Sequence, residues 1–213
     1  MRRRIALGAT FAATLAVILA IGRSPIASGE TQAARSPAKT STATFAGGCF
    51  WCEEAAFDSV PGVVSVTSGY TGGTKKDPSY EEVSSGTTGH AESVEVVFDP
   101  AKVSFAQLLD VFWHNVDPVD PNGQFCDKGT QYRSAIFYHD EEQHRLAEQS
   151  KKALQESKKL PGPIVTQIVP ASTFYRAEEY HQHYHEKNPL RYKFYRHGCG
   201  RDARLAELWG AAK

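Results

Sequence analysis

Two adjacent glycines, Gly47 and Gly48, stand between a short apolar run (Ala43 to Ala46) and a helix-compatible segment from Cys49 to Asp58. The order reads strand, tight turn, helix, and it commits this stretch to a β–α unit. It also places Cys49 at or beside a helix N-terminus, where unpaired backbone N–H groups and the positive end of the helix dipole favour an anion. A thiol there is expected to ionise below its ordinary value of about 8.5, and the thiolate is the nucleophilic form. The alternative for Cys49 and Cys52 is a pair of small core residues or half of a zinc site.

The chain after this unit supplies the rest of a fold. Val63 to Ser68 reads as a strand behind Pro61-Gly62, and Gly69 to His90 as a long loop of the kind that carries function. In the strand Glu92 to Phe98, Val94, Val96 and Phe98 share one face, and parity puts Glu92 with them. A carboxyl group at the end of an apolar face is partly desolvated, which favours its protonated form. Leu108, Leu109, Phe112 and Trp113 give a helix over Ser104 to Asn115 its apolar stripe. A second loop, Asp117 to Gln131, holds Cys126. A strand over Arg133 to His139, a helix over about 140–159, a strand over Ile164 to Val169 and a helix over Ala177 to Glu186 follow. Beyond Asn188 no period is clear until Leu205 to Trp209. The core order β-α-β-β-α-β predicts an α+β fold: a two-layer ferredoxin-like plait (split βαβ core) with extra helices and a long irregular C-terminal segment.

Charge is unevenly placed. Residues 1–39 hold six basic residues and one acid, Glu30; subtracting these from 24 and 24 leaves 18 basic and 23 acidic residues, a net of −5. A mildly acidic domain without a basic stripe argues against a nucleic-acid partner. Arg2-Arg3-Arg4 before the uncharged run Ile5 to Ile21 has the form of an export signal. That run is at the short limit for crossing a bilayer, so an uncleaved anchor is the alternative. Residues 1–28 are thus expected to be a signal peptide or N-terminal anchor, 29–41 a flexible tether, and 42–213 a single domain. The protein is expected to be exported, periplasmic or membrane-anchored facing the periplasm of a bacterium, with membrane contact only through an uncleaved anchor.

Five motifs converge on a family. Gly47-Gly48-Cys49-Phe50-Trp51, Gly69-Tyr70-Thr71-Gly72-Gly73 and Thr88-Gly89-His90-Ala91-Glu92 closely resemble the peptide methionine sulfoxide reductases of the A type. So do the runs from Asp127 to Ser134 and from Ala177 to Gln182. The resemblance implies a reductase domain that returns methionine S-sulfoxide, free or in peptides and proteins, to methionine. It implies Cys49 as the nucleophile that becomes a sulfenic acid, and Glu92 as the acid that protonates the leaving oxygen. Tyr80 and Tyr132 match the hydrogen-bond donors to that oxygen, Asp127 an aspartate that orients water or substrate, and Phe50 and Trp51 the wall around the S-methyl group. The implied partners are oxidised proteins or peptides and a thioredoxin or thioredoxin-like reductant; no bound cofactor is expected, and the chain is expected to be monomeric.

The sulfenic acid must then be resolved by a second thiol. Cys199, between Gly198 and Gly200, is the expected resolving cysteine because a glycine-flanked tail can travel at low strain. Cys126, beside Asp127, ranks second. Cys52 ranks last, since an i, i+3 pair on a helix rarely closes a disulfide without distortion. The run His181-Gln182-His183-Tyr184-His185 puts His181 and His185 on one face of the expected helix, and without a further ligand cluster no metal is expected. Two other classes compete: a thioredoxin-like oxidoreductase using Cys49-Phe50-Trp51-Cys52, and a non-catalytic domain with every cysteine bridged. An even cysteine count permits the latter, but a domain of about 170 residues can fold without such staples.

Overall fold

The computed structural model of the protein describes residues 39–210. The expected signal or anchor (1–28) and most of the expected tether lie outside the described residues. Strand β1 (Ser41–Gly47) alternates its side chains, with Ala43 and Phe45 on one face of the sheet and Ala46 on the other. Gly48 makes the turn at φ 85°, a left-handed conformation in which any Cβ would also lie 2.6 Å from the Cβ of Gln124. Helix α1 (Phe50–Asp58) starts at once, with Cys49 as its N-cap residue. Strand β2 (Val63–Thr71), the short helix α2 (Tyr80–Ser84) and strand β3 (Ala91–Phe98) follow. Ser104 then caps helix α3 (Phe105–Asn115) through a reciprocal capping box with Gln107.

A two-stranded ribbon, β4 (Gly123–Gln124) with β5 (Asp127–Lys128), leads to strand β6 (Ser134–Tyr138), helix α4 (Glu141–Glu156), and strands β7 (Gln167–Pro170) and β8 (Tyr175–Arg176). The main sheet runs β7-β6-β1-β3-β2-β8; every pairing is antiparallel except β6–β7. The protein is therefore a mixed α/β fold on a mostly antiparallel sheet. Phe45 stacks at 4.9 Å on Phe57 of α1 and at 5.3 Å on Phe112 of α3, so both helices share one core with the sheet.

The expected helix over Ala177 to Glu186 is not continuous. A 3-10 turn (Glu179–His181) ends where Gln182 folds inward, its amide bonding to Ser68 and to the carbonyl of Ala177. His183 then takes a left-handed backbone, φ 50°, before helix α5 (Tyr184–Lys187) begins. The C-terminal segment is likewise not irregular: it forms helix α6 (Pro189–Gly198) and helix α7 (Arg201–Trp209). α7 returns to α3, where Arg204 pairs with Asp117 at 2.7 Å and Trp209 donates to the carbonyl of Val116. Among the described residues no helix is long and apolar enough to cross a membrane.

Candidate active site

A cavity of about 230 Å³ opens at the N-terminus of α1, lined by Cys49, Phe50, Trp51, Tyr80, Glu92, Asp127, Tyr132 and Tyr195. The lining comes from α1, α2, β3, β5, a 3-10 turn before β6, and α6, so distant parts of the sequence meet around one thiol. All seven residues assigned by sequence to the nucleophile, acid, donors, aspartate and methyl wall reach it.

Glu92, at the end of the apolar face of β3, is 2% exposed and accepts the Phe50 backbone N–H at 3.2 Å. Burial pushes its carboxyl up to about 8, and the bond from Phe50 only partly opposes this. It is therefore protonated at neutral pH and able to give up a proton inside the cavity. Tyr80 is fixed by its own N–H bonding to Glu178 at 2.8 Å, and Glu178 also receives the Tyr70 hydroxyl at 2.7 Å. Burial pushes the Tyr80 and Tyr132 hydroxyls well above their usual range, so both stay protonated as donors. Trp51 donates from Nε1 to His181 at 3.1 Å and stacks on Tyr184 at 3.8 Å. His181 thus serves the cavity wall. Burial lowers its pKa to about 4, keeping it neutral.

Asp127 accepts a short hydrogen bond from the Tyr195 hydroxyl and lies 3.9 Å from Cys199 Sγ. Cys199 is bonded to Cys126, whereas Cys49 and Cys52 are free and buried. The expected Cys49–Cys199 bond is thus not the one present. Nor is Cys49 an isolated activated thiol. It is 5% exposed, and burial pushes its pKa up. Cys52, three residues on, is shifted the other way: its pKa is lowered by its interaction with Cys49 and by the positive charges of Arg201 and Arg196.

Arg201 and Tyr195 are site residues that sequence reasoning passed over. Arg201, 1% exposed, donates to the carbonyls of Gly47 and Asn115 at 2.8 Å and to Glu53 at 3.2 Å, and its guanidinium lies over the Phe125 ring. Burial outweighs Arg201 at Glu53, pushing that carboxyl up to about 8, while the same guanidinium favours the ionised form of the Cys52 thiol. Arg201→Met leaves two backbone carbonyls without their donor and the thiolate without its cation. A stability loss of about 3–5 kcal/mol in denaturant unfolding is expected. Cys52 ionisation should move up by about 1–3 pH units, read as thiolate absorbance. An unchanged titration would show that Arg201 is a packing residue only.

A thiol beside a neutral acid and two phenol donors is equipped to strip oxygen from a polarised S=O or similar bond, which is the chemistry of a thiol-dependent reductase. Residues 41–213 match the family model described as peptide methionine sulfoxide reductase. The peptide methionine sulfoxide reductase MsrA of Bacillus licheniformis is 54% identical over 172 residues, covering 81% of this chain and 95% of that protein. The reduced form of Mxr1 from Saccharomyces cerevisiae superposes with a TM-score of 0.68 at 38% identity, over 73% of this chain and 89% of that one. Mxr1 solved in complex with Trx2 matches at a TM-score of 0.50 and 27% identity, over 70% of this chain and 87% of that one. The chain belongs to the peptide methionine sulfoxide reductase family. It is an oxidoreductase that reduces methionine sulfoxide.

Proposed function

We propose that Cys49 attacks the sulfoxide sulfur while Glu92 delivers the proton that lets oxygen leave, and that the protein acts on the S epimer, free or in oxidised proteins. The convergence of Cys49, Glu92, Tyr80 and Tyr132 on one small cavity carries this reading. Tyr80 and Tyr132 hold the oxygen as negative charge grows on it. Phe50 and Trp51 enclose the S-methyl group, and Asp127, bonded to Tyr195, orients the water or the substrate backbone. The S–O bond of the sulfoxide breaks as its protonated oxygen passes to the Cys49 sulfur, so Cys49 leaves this step as a sulfenic acid and methionine, reduced by two electrons, departs.

Cys199 then attacks the Cys49 sulfenic sulfur, releasing water and forming a Cys49–Cys199 disulfide. Cys126 displaces Cys49 from that bond, giving the Cys126–Cys199 disulfide seen here and restoring Cys49 as a thiolate. Cys126 is exposed, so a thioredoxin-like reductant can reach the final disulfide; the solved pairing of Mxr1 with Trx2 supports that donor. A second reading has Cys52 resolve the sulfenic acid, because it is free, lies three residues from Cys49 and has its pKa lowered. An assay on separated epimers with dithiothreitol, followed by disulfide mapping of Cys126→Ser after one turnover, tests both points. The expected results are turnover of the S epimer alone and a trapped Cys49–Cys199 bond. Turnover of the R epimer ends the first assignment, and a trapped Cys49–Cys52 bond transfers the resolving role to Cys52.

The order β6-β1-β3-β2, with α1 and α3 on one face, supports classing the core as a ferredoxin-like plait. The arginine-led apolar run at residues 2–21 supports export to the periplasm, as a cleaved signal or an anchor. On this reading the protein acts as a monomer, each copy carrying its own nucleophile, acid and donors.

A further inference from the structure

The break at His183 parts the first of the three histidines from the other two. His181 goes to Trp51 in the cavity wall, while His183 and His185 turn to the far end of α1. There they meet Glu54 and Asp58, one helical turn apart. His183 Nδ1 lies 3.5 Å from Asp58 Oδ2 and 3.9 Å from Glu54 Oε1. The ring of His185 brings Nε2 to 3.6 Å from Asp58 Oδ2 and Nδ1 to 3.9 Å from Glu54 Oε2. These separations are too long for good hydrogen bonds, whose heavy atoms sit at about 2.7–3.2 Å. Glu54 Oε2, Asp58 Oδ2 and His185 Nδ1 are buried and have no hydrogen-bond partner. Glu54 itself is wholly buried. Burial holds both carboxyls above their ordinary range, and nothing in the cluster offers them a permanent positive charge.

We propose that Glu54, Asp58, His183 and His185 form a binding site for one divalent zinc-class cation. Four ligands at about 2.0–2.2 Å from a tetrahedral ion stand roughly 3.3–3.6 Å from one another. Glu54, Asp58 and His183 each present one ligand atom within 4.8 Å of the other two, and His185, beside both carboxylates, completes the set by turning a single ring nitrogen to the ion. Two carboxylates and two neutral imidazoles balance a dication, which removes the cost of burying the acids. The donor set excludes calcium and magnesium, which take oxygen ligands, and favours zinc over softer thiolate-seeking ions. The site lies outside the catalytic cavity and its ion has no part in the chemistry. It ties α1 to α5, and thereby holds Tyr184, between the two histidines, against Trp51.

The test uses the full-length protein, stripped with a chelator and titrated with Zn²⁺ by calorimetry and thermal unfolding. One ion per chain is expected, with a midpoint raised by roughly 5–10 °C when zinc is at about a hundredfold excess over its Kd. Asp58→Asn, which keeps the side-chain shape, and His183→Asn, which tolerates the left-handed backbone, should each weaken binding by about tenfold or more. Either variant alone suffices if the other fails to fold. Substituting Co²⁺ should give a spectrum without a thiolate-to-metal charge-transfer band. Failure to bind zinc, undiminished binding in a folded variant, or a thiolate band would each overturn the assignment, the last by moving the ion to the cysteines.

Discussion

In Cys49→Ser, reduction of methionine sulfoxide falls by about a thousandfold or more, to the level of the uncatalysed reaction. Among the residues lining the cavity Cys49 is the one thiol; Cys52 is wholly buried and does not line it. A serine hydroxyl in the same place is far less acidic and finds Glu92 protonated, so no base there can activate it. The measurement is methionine released in a single turnover from fully reduced enzyme. Retention of more than a few per cent of the wild-type rate would end the role given to Cys49. Cys52→Ser, by contrast, should keep that single-turnover release. Its loss would revive the Cys49-Phe50-Trp51-Cys52 pair as the reacting unit.

Glu92→Gln should lower the rate of the same step by about 10²–10⁴-fold, the range for losing a positioned general acid. The pH profile gives the sharper readout. A carboxyl with its pKa near 8 is protonated below that value, so the contribution of Glu92 to the wild-type rate should hold through neutrality and decline as pH rises through about 8, giving an alkaline limb. The amide of the variant does not titrate in that range, and the alkaline limb should vanish. If the limb persists in Glu92→Gln, another group supplies the proton. Tyr80 and Tyr132 would then be the candidates, because both hydroxyls border the same space.

Much of the fold was legible because the local signals agree with one another. The alternation of Val94, Val96 and Phe98 places all three in the main core, and the glycine pair sets the start of α1 as its turn requires. The chain beyond Ala177 was not legible, and the reason is physical. On α6 the large apolar residues Leu190 and Phe194 face outward, 82% and 83% exposed, while Tyr192, Tyr195 and Arg196 are turned toward the protein. A search for an apolar stripe reads that helix inside out, so Tyr195 escaped notice. The helix expected over Ala177 to Glu186 failed for another reason, a tertiary one: the Gln182 side chain bonds to β2, a contact no local pattern encodes.

The activation argument for Cys49 was half right. The residue does cap α1, but the free N–H of Phe50 is taken by Glu92, and burial overrides what remains of the helix field. The cation that matters to the thiol pair comes from Arg201, far along the chain. Its sequence context, next to Gly200 and close to Cys199, marked that segment only as a mobile carrier of a thiol.

Placing Arg201 against Gly47 sets a schedule on the making of the enzyme. A growing chain emerges from its N-terminus first, so the turn bearing Cys49 is synthesised long before the helix that completes its surroundings. Until α7 arrives, the carbonyl of Gly47 lacks the guanidinium and the thiol pair lacks its cation. Oxidative competence is in this way withheld from partial chains, and a product truncated before Arg201 could keep most of the sheet yet lack a working centre.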